Sequence, residues 1–295
     1  MQSVRACNFV WNFCDDRQKD ILRFGRRWHA GFDLNKLTAG SRKELACIPA
    51  RRTPCVGNTF RVFHSRTLPE EKIKDGSNFS RDSRGNWFLN IVIDVACAAE
   101  ARQPVKGVGI DLGLKDFAAL SIGKKIGAQR IYRDAEAALA VAQRAGKKKR
   151  VKAIHAQMAN RRSDFHHKLS TRLVKEFDYI AVGNVNAAGL ARTSMAKSVL
   201  DAGWSFFRTQ LAYKAVKHGA WFEEVNEAFS SQVCSDCGAL PDSRPKGIAD
   251  LGIRNWMCSD CGCVHDRDVN AAKNILNKSG FRAGHGTPVV GIPAL

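Results

Sequence analysis

From residue 105 onward, the spacing of apolar residues alternates between two periods. Short apolar runs predict five β-strands, and longer stretches with apolar residues at helical spacing predict the helices that follow them. The predicted strands are 105–113, 117–123, 125–131, 178–186 and 221–227. The predicted helices are a long basic region at about 134–177, then 198–219 and 268–280.

The chain before residue 105 follows a different pattern. Apolar residues at helical intervals predict an amphipathic helix over 3–28, and the prolines and glycine of 38–58 predict a loop or a truncated connection. Alternating runs at 59–65, 72–80 and 86–95 predict strands. We therefore expect a small β domain here, separated from the rest of the chain by the boundary segment 98–106.

The order of the later elements predicts the fold class. Three strands, a helix, a strand, a helix, a strand and a helix make up the order of an RNase H-like α/β domain. In that topology the first strand lies centrally beside the fourth, and the fifth lies next to the fourth. We expect an α/β protein in which the ends of these three strands lie side by side.

Charge narrows the choice of partner. The 47 Lys and Arg residues exceed the 28 Asp and Glu residues, giving a formal net charge of +19, which favours a polyanion such as nucleic acid. Residues 144–175 hold eleven of the basic residues and one acid. A helix there could bind phosphates, although a solvated basic face is the alternative interpretation. The candidate residues are Lys147, Lys148, Lys149, Arg150, Lys152, Arg161, Arg162 and Arg172.

The sequence CSDCG occurs twice, with 20 residues between the cysteine pairs. This doubled motif is typical of a zinc site closed by four thiolates, and a closed site predicts a structural rather than a catalytic ion. Two unrelated thiol pairs are the alternative. The predicted ligands are Cys234, Cys237, Cys258 and Cys261, which leaves Cys263 unused.

Two aspartates stand at positions suited to a second metal. Asp111 ends the first strand of the predicted sheet, and Asp268 opens the last helix. Their carboxylates are hard oxygen ligands of the kind that Mg²⁺ prefers, and a pair of such ions can hold both oxygens of a phosphodiester displacement. Taken separately, each aspartate could equally end a strand or cap a helix. Asp266 is expected to cap the helix or to support the metal ligands.

Four segments together carry a family resemblance: IDLGLKDFAALS, the basic helix, the doubled CSDCG and HDRDVNAAKNIL. They resemble TnpB, the transposon-encoded RNA-guided DNA nuclease once described as an OrfB-type transposase and related to miniature type V CRISPR effectors. The resemblance implies a RuvC-like nuclease domain with an inserted zinc ribbon. It also implies structural Zn²⁺, catalytic Mg²⁺, a guide RNA from the transposon end and a double-stranded DNA target.

The same resemblance implies a division of the chain. We expect a reduced helical recognition region at 1–57, a wedge-like β domain at 58–97 and the nuclease domain at 105–280. The zinc ribbon would be an insert at 230–264, and a flexible tail would follow at 281–295.

One position departs from the family pattern. The family carries a glutamate at the end of the fourth strand, where this chain has Gly183. Glu227, at the end of the neighbouring fifth strand, could reach the vacated place, because adjacent strands lie about 4.8 Å apart. Glu224 should face the opposite side, and Glu223 should lie farther from the strand end. A set of solvated edge residues is the alternative.

These features leave three functions open. The first is a Mg²⁺-dependent RNA-guided DNA endonuclease, with Asp111, Asp268 and Glu227 as metal ligands. The second is an RNA-guided DNA-binding protein that acts by occupancy, which Gly183 would favour. The third is a truncated relic with nucleic-acid affinity alone. The sequence shows neither a membrane-length apolar run nor a secretory signal, so we expect a cytoplasmic, nucleoid-associated protein without a membrane partner.

Overall fold

The computed structural model describes residues 43–46, 59–62, 73–82, 84, 87–93, 103–246 and 249–282. The chain divides into two compact units, Met1–Ala96 and Cys97–Leu295. The predicted helix 3–28 and most of the predicted tail 281–295 lie outside the described residues. None of the described helices combines the length and apolar character that a membrane crossing requires.

The described part of the first unit consists of two antiparallel strand pairs. Strand β1 (Lys43–Ala46) pairs with β2 (Thr59–Val62), and β3 (Ile73–Arg81) pairs with β4 (Trp87–Ile93) across an irregularity after Lys74. The last three confirm the predicted strands. The prediction of a loop over 38–58 is wrong at β1, because pairing with β2 imposes an extended conformation that the local sequence does not signal.

A five-stranded mixed sheet forms the centre of the second unit. Its strands are β5 (Gly107–Leu112), β6 (Asp116–Leu120), β7 (Lys125–Gly127), β8 (Tyr179–Gly183) and β9 (Trp221–Val225). The spatial order is β7-β6-β5-β8-β9, with β5, β8 and β9 parallel and the other two pairings antiparallel. The predicted neighbours of the first, fourth and fifth strands are therefore confirmed, and so is the mixed α/β fold.

Six helices surround this sheet and its insert in the described part of the chain. They are α1 (Ile131–Arg144), α2 (Lys148–Glu176), α3 (Ala187–Leu190), α4 (Ala196–Ala202), α5 (Trp204–His218) and α6 (Arg267–Lys278). The insert contains a 3₁₀ turn (Ala249–Gly252) and the hairpin β10 (Asn255–Met257) and β11 (Val264–Asp266).

Two helices predicted as continuous are broken at glycines. Gly146 separates α1 from α2 and Gly203 separates α4 from α5, each with a φ of 63°. This left-handed conformation is readily adopted by glycine and ends a helix. The break at Gly203 also changes the predicted apolar stripe of 198–219: Trp204, Phe207 and Leu211 are buried, but Leu200 is 67% exposed.

The two faces of the sheet are covered differently. On one face, alternate residues of β5 and β8 pack against α2 and α5 to form the main core. On the other face lies α6, close against the smallest residues of β5. A Cβ at Gly109 would lie 2.0 Å from the Ala272 carbonyl oxygen, and one at Gly107 would lie 2.7 Å from the Phe281 ring. Because α6 runs opposite to β5, its first turn reaches the carboxyl end of that strand.

We predict that Gly109→Ala destabilises the protein by about 1–3 kcal/mol or more, the usual cost of forcing extra atoms into a packed interior. The added methyl group must push α6 away from β5, since the obstructing atom belongs to the main chain. Gly127→Ala is the matched control, because nothing lies within 4 Å of that position. Denaturant unfolding of the two variants measures the difference, and equal stabilities would contradict the required close approach.

Candidate functional site

The carboxyl ends of β5, β8 and β9 form an edge with acidic side chains. Ile110 pairs with Val182, and Gly183 pairs with Val225, so Asp111 and Gly183 are the next neighbours across the β5–β8 pair. Asp111 follows Gly107 and Gly109 in the strand alternation, which places it on the face covered by α6.

Glu227 occupies the space beside Gly183. A Cβ at Gly183 would lie 2.9 Å from the Glu227 Oε2 atom and 3.0 Å from Ile275 Cδ1. Asn184 fixes this arrangement by donating its backbone N–H to Val225 O at 2.9 Å and accepting the Glu227 N–H on its side chain at 3.3 Å. The glycine thus leaves room for a glutamate side chain from the next strand end, as the sequence suggested.

The two glutamates of β9 itself form contacts away from Gly183. Glu223 accepts hydrogen bonds from the Tyr179 hydroxyl and from the Gly280 N–H, the latter at 3.0 Å. Glu224 forms an ion pair with Arg208 at 3.2 Å. Their contacts tie β9 to α6's end and to α5, respectively, and Glu227 alone of the three lies at the Gly183 position.

The first turn of α6 brings a further carboxylate to this region. Asp266 caps the helix, because its Oδ1 accepts the backbone N–H groups of Asp268 and Val269 at 3.1 and 3.0 Å. Its Oδ2 accepts a hydrogen bond from Lys125 Nζ at 2.7 Å. Burial works against the ionised form, but the bonds from Lys125 and the helix N–H groups lower the pKa of Asp266 overall. The expected capping role of Asp266 is what the geometry displays.

Asp268 has cationic neighbours instead. Its two oxygens lie 3.0 and 3.2 Å from the Arg254 Nη1 atom, and Oδ2 lies 3.3 Å from Lys125 Nζ. Arg254 belongs to the four-cysteine insert and Lys125 to β7, so two distant parts of the chain meet at this one carboxylate. The sequence analysis missed both cations, since Lys125 and Arg254 stand 143 and 14 residues before Asp268.

Burial and neighbouring negative charges raise the pKa of Asp111. Burial, then the charge of Glu227, then that of Asp268 raise the pKa of Asp111 to about 8, and Arg267 and Arg254 reduce the rise. Burial also raises the pKa of Glu227, opposed by Arg208. A buried group of carboxylates that resist ionisation together is one that a divalent cation would stabilise, so the donor set fits a hard metal ion.

The three carboxylates are nevertheless more widely spaced than the cysteines. Across the described residues, the four cysteines form the only group of three or more metal-type side chains whose ligand atoms all lie within 4.8 Å of one another. Glu227 and Asp268 each interact electrostatically with Asp111, and the oxygens of the three carboxylates would have to draw closer to share an ion.

The four cysteines lie on two knuckles with the same geometry. Cys234 and Cys261 have sulfurs 3.6 Å apart, and those of Cys237 and Cys258 are 3.8 Å apart. A tetrahedral zinc ion with Zn–S bonds of about 2.3 Å has S···S edges of about 3.8 Å, so the cluster fits zinc. The glycines that follow the knuckles, Gly238 and Gly262, have φ values of 77° and 75°, as these tight turns require.

Two buried asparagines of α6 join this helix to the four-cysteine insert. Asn270 and Asn274 lie one turn apart, and both side chains donate to the carbonyl oxygens of Ser230 and Val233 at 2.7–3.3 Å. Asn270 also accepts the Ser235 N–H at 2.9 Å. The helix that carries Asp268 is therefore fixed to the first knuckle. Sequence reasoning missed these residues, although asparagines at i and i+4 on an otherwise apolar helix face were a usable signal.

Most of the predicted basic helix residues are accessible. The exposed ones are Lys147, Lys148, Lys149, Arg150, Lys152, Arg161 and Arg172. Arg162 is half-buried and serves the protein itself, since it bonds the side chain of Asp201 at 2.9 Å and its carbonyl oxygen at 2.8 Å. Arg161 pairs with Asp134 at 3.1 Å. The accessible charge lies mainly in the first turns of α2.

We predict that Asp111→Asn stabilises the metal-free protein at pH 8. Because burial and neighbouring acids raise the pKa of Asp111 from 3.8 to about 8, the folded state keeps a proton that the unfolded chain releases. The associated stability is complete below about pH 4 and is lost as the pH rises towards 8. The gain from the amide should therefore grow from pH 5 to 8 in thermal unfolding measured without Mg²⁺.

Added Mg²⁺ should raise the melting temperature of the wild type but not of Asp111→Asn. Asp242→Asn is the control, because that aspartate is fully exposed. A variant that melts below the wild type at pH 8 would show that Asp111 is not under this electrostatic strain.

Comparisons with known proteins agree with this architecture. A family model described as "Probable transposase" (OrfB of IS605) matches residues 90–194, and one described as "Cas12f1-like, TNB domain" matches residues 204–275. A "Putative RNA-guided DNA endonuclease" of Streptomyces pristinaespiralis is 37% identical over 226 residues, covering 72% of this chain and 54% of that protein.

Two further relatives align over a similar share. The "Putative RNA-guided DNA endonuclease InsQ" of Escherichia coli (strain K12) is 28% identical, covering 69% of this chain and 55% of that protein. A "CRISPR-associated endodeoxyribonuclease Cas12f1" of Sulfoacidibacillus thermotolerans is 26% identical, covering 73% and 56%. The chain thus spans about half the length of these relatives. The two family models cover the segments in which the sequence resembles TnpB, and the chain belongs to the OrfB (TnpB) family.

Proposed function

We propose that the protein is an RNA-guided DNA endonuclease that hydrolyses phosphodiester bonds at the edge formed by Asp111, Glu227 and Asp268. The observation that carries this proposal is the Glu227 carboxylate beside Gly183, 2.9 Å from where a side chain at 183 would begin. Glu227 supplies the third acidic group at the end of β8, where that strand itself has Gly183. The names of the relatives and the sheet order, that of an RNase H-like or RuvC-like domain, support the same assignment.

The three carboxylates would hold Mg²⁺, which when bound activates water and stabilises the charge that develops on the phosphate. This chain's residues contribute the binding site and its electrostatics. Asp111 and Glu227 lie on the rigid sheet edge, whereas Asp268 depends on α6. Arg254 and Lys125 balance the charge of Asp268 before a metal ion binds. Lys125 also holds Asp266, so the helix start would stay in place if Asp268 turned towards an ion.

The remaining parts of the proposal concern the rest of the chain. The nuclease domain would span 105–280, with a structural zinc ribbon inserted at 230–264 and a wedge-like β domain before it at 58–97. The exposed basic residues at the start of α2 would bind the phosphates of the guide RNA or of its heteroduplex with the target DNA. Such contacts fix position without reading the base sequence. The family's place of action would be the cytoplasm, at the nucleoid.

A second function is favoured by a specific contact. Asp268 is held by Arg254 and Lys125, and the three carboxylates do not form a compact cluster. If these ion pairs persist in the RNA-bound protein, the site would not take up metal, and the protein would act by occupying its guided DNA target. Plasmid cleavage by the protein with its co-expressed RNA, with and without Mg²⁺, decides between the two functions.

We predict that Glu227→Gln lowers cleavage by orders of magnitude while guided DNA binding stays nearly unchanged. A ligand of the catalytic ion acts mainly in the transition state, so its loss affects turnover more than substrate binding. Glu224→Gln is the matched control, because that glutamate lies on β9 and forms an ion pair with Arg208 instead of standing beside Gly183. Rates of plasmid cleavage and affinities for the guided target, measured side by side, give the comparison.

Restoring the family residue provides a companion test. Gly183→Glu in the Glu227→Gln background should recover part of the activity, since both side chains would reach the same place. Equal cleavage by the wild type and Glu227→Gln would refute the role of Glu227. A wild type that binds its guided target without ever cutting it would establish the occupancy function instead.

We also predict that the protein binds one zinc ion, and that Cys258→Ser loses the ion together with much of its stability. Four cysteines without their metal leave the ribbon without a core of adequate size, and the attached α6 loses its support. Metal analysis and thermal unfolding measure both losses. Cys263→Ser is the control, because Cys263 adjoins the cluster without belonging to it. Folded wild-type protein free of zinc would contradict the prediction.

A further inference from the structure

Phe229 combines an unusual backbone conformation with an exposed aromatic ring. Its φ is +61°, and among the described residues the only other non-glycine with a positive φ is Arg130. The residue is 60% exposed, although phenylalanine is ordinarily buried. It stands two residues after Glu227, so the two Cα atoms lie within about 7 Å of each other along the chain.

The neighbouring hydrogen bonds explain how this conformation is maintained. The Ser230 N–H donates to Glu227 O at 2.9 Å and closes a turn in which Phe229 holds the third position. A positive φ at that position is normally supplied by glycine or asparagine. The Phe229 carbonyl oxygen then accepts the N–H groups of Gln232 and Val233 at 2.9 and 3.0 Å. The turn is thus bonded on both sides of the phenylalanine.

Hydrogen bonds from side chains of α6 hold this turn in place. Asn270 and Asn274 of α6 both bond the carbonyl oxygen of Ser230, and Lys278 donates to the carbonyl oxygen of Ala228. The turn is consequently fixed to the same helix that carries Asp268. A positive φ and a largely exposed ring are both unfavourable for a phenylalanine, and strain of this kind concentrates at functional sites.

We propose that the Phe229 ring stacks on a base of the single-stranded DNA that enters the carboxylate edge. This inference rests on the proposed function and names the substrate contact of the same site. A planar apolar ring recognises the face of any base, which suits an enzyme whose sequence choice is made by base pairing elsewhere. Because the turn is anchored to α6 and follows Glu227 directly, the stack would fix the strand relative to the carboxylates.

The test separates stacking from a structural role by two substitutions. Phe229→Gly removes the ring and relieves the positive φ, whereas Phe229→Trp keeps an aromatic face. The probe is a single-stranded DNA oligonucleotide with the fluorescent base 2-aminopurine at successive positions. All proteins also carry Asp111→Asn, so that the DNA stays intact. Phe206→Ala is the matched control, because Phe206 is also an exposed phenylalanine, 46% accessible, on α5.

We expect quenching of 2-aminopurine at one or two positions, retained by Phe229→Trp and by the control. Phe229→Gly should abolish the quenching and weaken binding about tenfold, the loss expected for one base–aromatic stack. Its melting temperature should equal or exceed that of the parent, because glycine adopts the positive φ without strain. A structural phenylalanine would give the reverse: a lower melting temperature and unchanged quenching.

The proposal would be overturned if Phe229→Gly bound the DNA as tightly as its parent does. It would also be overturned if an RNA oligonucleotide were quenched equally, because that result would indicate a contact with the guide. A ring that contacts only a second protein would overturn it as well. Failure of the proposed nuclease function is recognised separately. Wild-type protein that never cleaves its guided target, while 2-aminopurine quenching depends on Phe229, would refute the nuclease and leave the stacking inference intact.

Discussion

The close packing of α6 on β5 is the constraint on which the rest of the site depends. At Gly109 the backbone carbonyl of Ala272 lies where any side chain would be, so the helix and the strand approach as nearly as two main chains can. This contact sets the height of α6 above the sheet. It therefore determines the distance between Asp268 and Asp111, and a larger distance would separate the carboxylates of the edge.

The four-cysteine insert also holds this helix. Asn270 and Asn274 replace apolar contacts with four hydrogen bonds to the carbonyls of Ser230 and Val233. Directional bonds of this kind fix a position more narrowly than apolar packing, because buried amides left unpaired are costly. The four-cysteine insert thus fixes α6 in place. Its cysteine cluster holds the first knuckle, and hydrogen bonds to this knuckle position the helix that carries Asp268.

At the acidic edge the carboxylates repel one another, and nearby Arg and Lys side chains partly compensate their charge. Burial and mutual repulsion hold Asp111 in its protonated form up to neutral pH, whereas Arg254 and Lys125 compensate Asp268 and Arg208 lies near Glu227. The glutamate reaches the edge from β9 because Gly183 of β8 leaves its own place empty. In the proposed function this glutamate takes the place of one at the end of β8, since adjacent parallel strands lie only about 4.8 Å apart.

Sequence by itself determined the strands of the five-stranded sheet and their order, and it displayed the doubled cysteine motif and the two aspartates. These features depend on local periodicity or on short spacings, which the chain displays directly. The breaks at Gly146 and Gly203 were missed, since a single glycine within a helical pattern does not reveal its φ. Tertiary structure alone decided that Arg254 and Lys125 meet at Asp268, and that Asn270 and Asn274 hold the ribbon. It also placed Glu227 in the space of Gly183, because contacts between residues distant along the chain arise only when the sheet and α6 have packed.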